Sequence, residues 1–372
     1  MIRVLEIVPS MRVDNGVISF LMNYLRKIDH SEIIVDFVTF DLRECPYVQE
    51  IRDYGGEFYL LPSVSSFSKH YKECIRILNE NSYDVVHNNA LTKSLPIMRC
   101  AKKMNIPVRI LHSHNASLGN NSRNKIMRKC VLNQLINLST DLAACSKAAG
   151  KCYFGEKEYT LINNIVDDQI FNYRNDIRET IREKFGVKDK IVICSVGRMA
   201  MQKNPFFAMD VISVLFEKHK NIVYWWMGTG PLEEKMKEYA HKKGLDSIIT
   251  FWGGRSDIND LYQAADVFFL PSLFEGLPVT GVESQLMGLP SVISDSVTDE
   301  MVFTDLIEFV SLDSSLDTWQ NAFERQFQRI PARRSYKAEF DNSAYSPQNA
   351  GSFMMGYFKS LLDVHRNKGV NQ

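Results

Sequence analysis

The chain has 372 residues, 45% apolar and 24% charged, which is too long for one typical core and suits two ordinary folded domains. Lys+Arg and Asp+Glu are equal at 44 each, which excludes the strong basic excess of a general nucleic-acid binder. The seven cysteines (Cys45, Cys74, Cys100, Cys130, Cys145, Cys152 and Cys194) are odd in number, scattered and without a CxxC, so they read as buried free thiols in a reducing compartment, not as a disulfide frame or zinc site.

Residues 2–8 (IRVLEIV) are near-continuous apolar, the pattern of a strand buried on both faces. This start lacks the basic residues, longer apolar core and cleavage site of a signal peptide, and no apolar run approaches the ~20 residues that span a bilayer. The expectation is a cytoplasmic protein, peripheral to a membrane if it meets one. A loop through Asn15-Gly16 leads into a helix, where Val17, Phe20, Leu21, Tyr24, Leu25 and Ile28 recur at helical spacing. Further strands are predicted at 34–40, 58–61, 83–87, 107–112, 140–145 and 159–162, with helices at 69–81, 92–104 and 122–137 between them. The charged stretch 172–178 (NYRNDIR) carries no strand signal, and a domain junction is placed near it. A second series follows: strands at 190–196, 222–227, 248–252, 266–270, 290–294 and 307–311, and helices at 204–219, 231–243, 257–265 and 278–287. A final helical pattern covers 346–366. Alternation of this kind implies mostly parallel sheets covered on both faces.

The richest stretch is 271–290, PSLFEGLPVTGVESQLMGLP. It follows a buried strand, opens a helix at Pro278 and stops near Gly288-Leu289-Pro290. Strand ends and helix starts of this type line the ligand crevice of open α/β sheets, and free N–H groups there attract a diphosphate. Glu275 and Glu283 bracket the turn, at most ~12 Å apart along a helix axis. That span suits different parts of an extended ligand, and Glu283 is equally consistent with a solvated helix position. At 195–204 (SVGRMAMQKN) a strand ends at Gly197 and two cations follow, Arg198 and Lys203. Such a pair suits a leaving diphosphate, although ordinary loop solubility explains many Arg/Lys pairs. Gly228 lies in a second glycine turn, Met227-Gly228-Thr229-Gly230. Gly16 faces the crevice of the first series, where the three-glycine dinucleotide fingerprint is absent. His87, His112 and His114 stand at strand ends, but neither HExxH nor a carboxylate at ligand spacing accompanies them. No metal is expected; a histidine bonded to a sugar hydroxyl or phosphate, or a structural histidine, fits better. At 123–132, Arg123, Lys125, Arg128 and Lys129 interleave with Ile126, Met127, Val131 and Leu132, as on a basic amphipathic helix at an anionic membrane or on an ordinary surface helix.

Together, VGRMAMQKNP (196–205), MGTGPLEEKM (227–236), the block 253–292, ACSKAAGKCYFG (144–155) and the E-x7-E spacing of Glu275 and Glu283 resemble family 4 of the retaining glycosyltransferases over nearly the whole chain. HSHN (112–115) and the 146–155 block look most like the subgroup that assembles bacterial exopolysaccharide or capsule. The resemblance implies the GT-B fold: two Rossmann-like, doubly wound parallel-sheet domains facing a central cleft. The divisions are then 1–170 (acceptor), 171–345 (nucleotide-sugar donor) and a helix at 346–372 returning to the first domain. It implies that Arg198 and Lys203 bind the diphosphate, and that Glu275 meets the transferred sugar. The backbone at Gly276, Leu277, Pro278 and Val279 would hold sugar and phosphate. Glu283 would bind ribose, Arg255 would lie near the nucleobase, and Gly16, Gly197 and Gly228 would approach the donor. The family's active-site histidine falls on His112 or His114; His112 is taken first, with His114 beside the donor. Two departures are Asn15 where the family often has glycine, and Asn164-Ile165-Val166-Asp167 where it has an Asn-Gly turn.

The reading is a retaining, metal-independent transfer from a nucleotide diphosphate sugar, a UDP-sugar first, to a lipid-linked or other saccharide acceptor. The donor is a co-substrate and no cofactor is expected. The rivals are a nucleotide-sugar epimerase of the same fold and a non-catalytic sugar-nucleotide-binding protein.

Overall fold

The computed structural model describes residues 1–11, 16–41, 45–116, 122–255 and 257–370, side chains excepted at 122–125 and 368–370. The chain divides into two compact units, Met1–Ile165 with Pro347–Gln372, and Val166–Ser346.

The first unit is built on one parallel sheet of β1 (Ile2–Val8), β2 (Ile33–Thr39), β3 (Phe58–Leu60), β4 (Val85–Asn88), β5 (Val108–Ser113), β6 (Asp141–Ala144) and β7 (Thr160–Leu161), in the order β3-β2-β1-β4-β5-β6-β7. The second unit has β8 (Ile191–Val196), β9 (Ile222–Met227), β10 (Ile249–Gly253), β11 (Val267–Leu270), β12 (Ser291–Ser294) and β13 (Ile307–Val310), in the order β10-β9-β8-β11-β12-β13, again all parallel. Each sheet reverses its winding once, between β1 and β4 and between β8 and β11. Ligands of open α/β sheets bind at the carboxyl ends of strands flanking such a reversal.

The near-continuous apolar runs become strands covered on both faces by helices. Helix Gly16–Leu25 buries Ile18, Phe20, Leu21, Met22, Tyr24 and Leu25 in the first core. The terminal helix Ala350–Val370 adds Met354, Tyr357, Phe358 and Leu362 to that core and packs on helix Gly16–Leu25. Gly351 permits this approach, since a Cβ there would lie 1.8 Å from the Lys27 carbonyl oxygen.

Three local features differ from the sequence pattern. The helix expected at 92–104 is a 3₁₀ turn, Leu91–Ser94, followed by helix Leu95–Lys103. Pro96 has no N–H to continue an α-helical ladder from upstream, so the α-helix starts around it. Helix Lys147–Phe154 carries Gly150, a poor helix former, yet Ser146 caps it by accepting from Ala149 N at 3.1 Å. The charged stretch 172–178 runs into helix Asn175–Lys184, and Arg178 and Arg182 there are buried, not solvated. Both pair with buried Asp266 at the start of β11, Arg182 Nη1 at 2.9 Å from Asp266 Oδ2. Their remaining donors reach backbone carbonyls, including Ala265 O from Arg178 at 2.8 Å and Ala264 O from Arg182 at 2.6 Å. Arg333 also donates to Ala265 O and Met287 O and lies over the Tyr173 ring; burial, then the charge of Arg178, depresses its pKa to about 9. Paired, fully bonded charges are the form in which burial is tolerated.

Candidate active site

In the second unit the segments after β8, β9 and β11 interlock. Gly197 N donates to Met227 O at 2.8 Å, Met199 N to Thr229 O at 2.9 Å, and Gly228 N to Gly253 O at 2.8 Å. Gly197 and Gly228 have φ of +150° and +133°, where side chains are strained. A Cβ on Gly228 would fall 2.2 Å from Gly197 O, and one on Gly197 would fall 2.5 Å from Lys203 Cε. The glycines therefore let two turns meet and let Lys203 fold back over the end of β8. Lys203 Nζ lies 2.7 Å from Glu275 Oε1, and Gln202 Nε2 donates to Glu275 Oε2 at 3.1 Å. Leu273 N donates to Gln202 O at 2.8 Å, fixing the loop after β11 to the turn after β8. Lys203 and Glu275 thus meet where the winding of this sheet reverses.

Gly276, Leu277 and Pro278 are buried in the following turn. Pro278 is extended (φ −74°, ψ 100°) and precedes the helix Val279–Leu286; the sequence expectation put it at the first helical position. Its N-cap residue, Pro278, makes no side-chain cap bond. Its amino end therefore presents backbone N–H groups and the positive end of the helix dipole. From Val279 to Glu283 the axis rises ~6 Å. Glu283 Oε2 accepts from the Tyr262 hydroxyl at 3.1 Å. Part of Glu283 reaches solvent, yet its carboxyl is enclosed by protein. That desolvation raises its pKa to about 7, against the lowering effects of the Tyr262 bond and the Lys203 charge. Arg198 is exposed just beyond Gly197. Arg255 stands apart, held to Asp257 at 2.7 and 2.6 Å and stacked on Trp252 at 4.9 Å.

In the first unit the neighbouring strands β1, β4 and β5 carry a second polar cluster. Glu6 and His87 are register partners; His87 pairs with Ile110, which puts His112, two residues on, on the same face. His87 Nδ1 lies 3.0 Å from Glu6 Oε1, and His87 Nε2 lies 3.1 Å from His112 Nδ1. Asn89 Nδ2 donates to Glu6 Oε2 at 2.7 Å, and His114 Nε2 lies 2.7 Å from Asn89 Oδ1. Phe20 meets His112 and His114 edge-on, at 5.3 and 5.1 Å between ring centres. Burial drives the His112 pKa far down and that of His114 to about 3, helped by the neighbouring imidazoles, so both rings are neutral at physiological pH. Gly16 begins the helix that carries Phe20, and among the described residues nothing beyond its chain neighbours lies within 4 Å of where a Cβ on it would sit. Asn15 lies outside the described residues.

The structure thus brings Gly197, Gly228, Lys203 and Glu275 together in one unit, with Glu283 close enough to feel Lys203. It brings His112 and His114 together in the other unit, with ring centres 4.0 Å apart. Sequence reasoning missed Gln202, Tyr262, Glu6 and Asn89, which hold these groups in place. Among the described residues no group of three or more His, Cys, Asp or Glu is arranged to hold a metal ion.

Comparison with known proteins agrees with this architecture. Residues 177–307, inside the second unit, match the family model of glycosyl transferases group 1. A Bacillus subtilis (strain 168) protein named as a glycosyltransferase, EpsF, is 29% identical over 98% of both chains. The UDP-Gal:alpha-D-GlcNAc-diphosphoundecaprenol alpha-1,3-galactosyltransferase of Escherichia coli is 25% identical over 67% of this chain and 68% of its own. The crystal structure of Anabaena Alr3699/HepE in complex with UDP-glucose superposes with a TM-score of 0.80 over 97% of this chain and 100% of its own, at 14% identity, which speaks for the fold alone. The chain thus combines a GT-B fold with a glycosyl transferases group 1 domain over residues 177–307.

Proposed function

We propose that this chain is a retaining glycosyltransferase that moves a sugar from a UDP-sugar to an acceptor hydroxyl without a divalent metal. The observation that carries the reading is the Lys203–Glu275 pair, set at the winding reversal of a group 1 domain beside a helix start whose N-cap residue makes no side-chain cap bond. Lys203, exposed Arg198 and the N–H groups at Val279 would take up the charge that grows on the leaving diphosphate, the work a metal does elsewhere. Glu275, held on both oxygens by Lys203 and Gln202, would accept from hydroxyls of the transferred sugar. Glu283 would accept from the ribose. The leaving phosphate itself would take the acceptor's proton.

The acceptor proposed is a lipid-linked saccharide in exopolysaccharide assembly. The support is the name of the Escherichia coli relative, whose acceptor is a diphosphoundecaprenol-linked sugar. A membrane surface is the proposed meeting place. In helix Ser122–Leu138, Ile126 and Met127 are 74% and 61% exposed next to Arg128 and Lys129; the side chains of Arg123 and Lys125 lie outside the described residues. No helix among the described residues is long and apolar enough to cross a membrane.

The test is calorimetric titration with UDP, GDP and ADP in the presence of a chelator, followed by transfer assays on undecaprenyl-diphosphate saccharides with a donor-only control. Selective UDP binding of about −8 kcal/mol, a micromolar Kd, with an α-linked product from an α-linked donor, is the expected result. Binding to none of the three nucleotides by folded protein would overturn the reading, and conversion of the donor alone would replace it with an epimerase.

A further inference from the structure

Glu6 lies at the branch point of two hydrogen-bond chains that end on the two histidines of the first unit. A carboxylate only accepts. The His87 nitrogen facing it, Nδ1, must therefore carry a proton. With His87 in its neutral form the other nitrogen is then a lone pair. His87 Nε2 faces His112 Nδ1 at 3.1 Å, so His112 Nδ1 supplies the proton of that bond. This leaves the lone pair of His112 on Nε2, which is buried and has no hydrogen-bond partner among the described residues. The second branch works in the same way. Asn89 must turn its amide nitrogen to Glu6, so its oxygen faces His114 Nε2, which must donate. The lone pair of His114 then sits on Nδ1.

We infer that Glu6 is a positioning residue: through His87 and through Asn89 it sets the tautomers of His112 and His114, so that His112 presents a bare Nε2 to a hydroxyl group of a saccharide bound at this unit. A lone pair accepts from a hydroxyl and repels a phosphate oxygen. Of the two partners open to a histidine in such a site, the network selects the hydroxyl. The substrate role rests on the glycosyltransferase reading above; the tautomers do not. A carboxylate flanked by Leu5 and Ile7 in β1, buried to 4% exposure, carries a desolvation cost that two satisfied bonds and a defined proton pattern offset.

The test is a long-range ¹H–¹⁵N correlation spectrum of the full chain with ¹⁵N-labelled histidine, which reads the tautomer of each ring. His112→Asn and His114→Asn serve only to assign the signals. The expected spectrum at pH 7.5 shows His112 protonated on Nδ1 and His114 on Nε2. In Glu6→Gln the carboxamide can offer either an N–H or an oxygen to His87. The two histidines should then show mixed or inverted tautomers. Transfer should slow about tenfold, the worth of one buried hydrogen bond, while UDP affinity stays within about twofold. His112 protonated on Nε2 in the unaltered protein would overturn the proposal even if Glu6→Gln failed to fold. Unchanged tautomers in a folded Glu6→Gln protein would overturn it as well. If the chain transferred no sugar at all, the spectrum would still decide the tautomers separately from the function.

Discussion

Lys203 Nζ and Glu275 Oε1 lie 2.7 Å apart with side chains only 14% and 9% exposed, so the cation proposed for the diphosphate is already held by the carboxylate proposed for the sugar. The pair orients both groups before any substrate arrives, which lowers the ordering cost of binding. In the proposed reaction a phosphate reaching Lys203 would compete with Glu275 for its charge and leave that carboxylate freer to accept from a sugar hydroxyl.

Lys203→Ala should therefore cut kcat/KM by about 10²–10³-fold, the usual effect of removing one preorganised transition-state donor. It should also cost about 2 kcal/mol of stability, less than a fully buried pair because some solvent reaches this one. Adding Glu275→Gln should restore part of the stability and none of the activity. Transfer rates and thermal midpoints of the single and double variants check both statements, and undiminished turnover in Lys203→Ala would remove the lysine from the diphosphate role.

The two turn glycines make a graded prediction. At Gly228 the obstacle to a Cβ is the Gly197 carbonyl oxygen at 2.2 Å, which is backbone and cannot move aside. At Gly197 it is Lys203 Cε at 2.5 Å, the far part of a flexible side chain. Gly228→Ala should lower stability by about 2–3 kcal/mol through strain at positive φ and overlap. Gly197→Ala should cost about 1–2 kcal/mol yet push Lys203 off Glu275 and reduce transfer at least as much as Lys203→Ala. Denaturation midpoints and initial rates on both variants separate the two; equal losses of activity per unit of stability would contradict the ordering.

Arg178 and Arg182 share the carboxylate of Asp266, and all three are buried. Asp266→Asn keeps the shape and removes the carboxylate charge that pairs with both guanidinium groups. The expected loss is about 3–5 kcal/mol, seen as a large fall in the thermal midpoint of the second unit with little direct effect on the chemistry of whatever protein stays folded. A loss below about 1 kcal/mol would mean that the carbonyl oxygens around the two arginines suffice.

These particular residues also show what a sequence can and cannot disclose. Runs such as IRVLEIV and IVYWWM are legible as β1 and β9 because strands covered on both faces leave few positions for polar residues. The glycine, lysine and glutamate of the second unit are legible because turns and helix starts impose local residue types at short spacing. Partners brought in by register are not: Glu6 and His87 are 81 residues apart, Gln202 and Glu275 are 73, and Arg178 and Asp266 are 88. No periodicity links such positions, and a charged segment such as 172–178 reads the same whether its arginines meet water or a distant carboxylate. The one local signal is a charge among apolar neighbours: Glu6 sits between Val4-Leu5 and Ile7-Val8, a placement that calls for a buried partner.

Glu283 gives the pH prediction. Its folded pKa, raised to about 7 mainly by desolvation, lies above the ordinary value of 4.5. The folded protein therefore holds the proton more tightly than the unfolded chain does. Below pH 4.5 both states are protonated and the group has no net effect. Between 4.5 and about 7 stability falls as pH rises, and above 7 the full penalty of about 3 kcal/mol applies. Glu283→Gln removes this titration and keeps an oxygen for the Tyr262 hydroxyl. The variant should gain stability over the unaltered protein at pH 8 and show only about a quarter of that gain at pH 5. If the carboxylate accepts from ribose hydroxyls, UDP binding should also release a proton near pH 7, since the bound site needs the ionised form. Calorimetry in buffers of different ionisation enthalpy measures that release, and Glu283→Gln should abolish it while weakening UDP by about tenfold. A binding enthalpy independent of the buffer in the unaltered protein would place the ribose contact elsewhere.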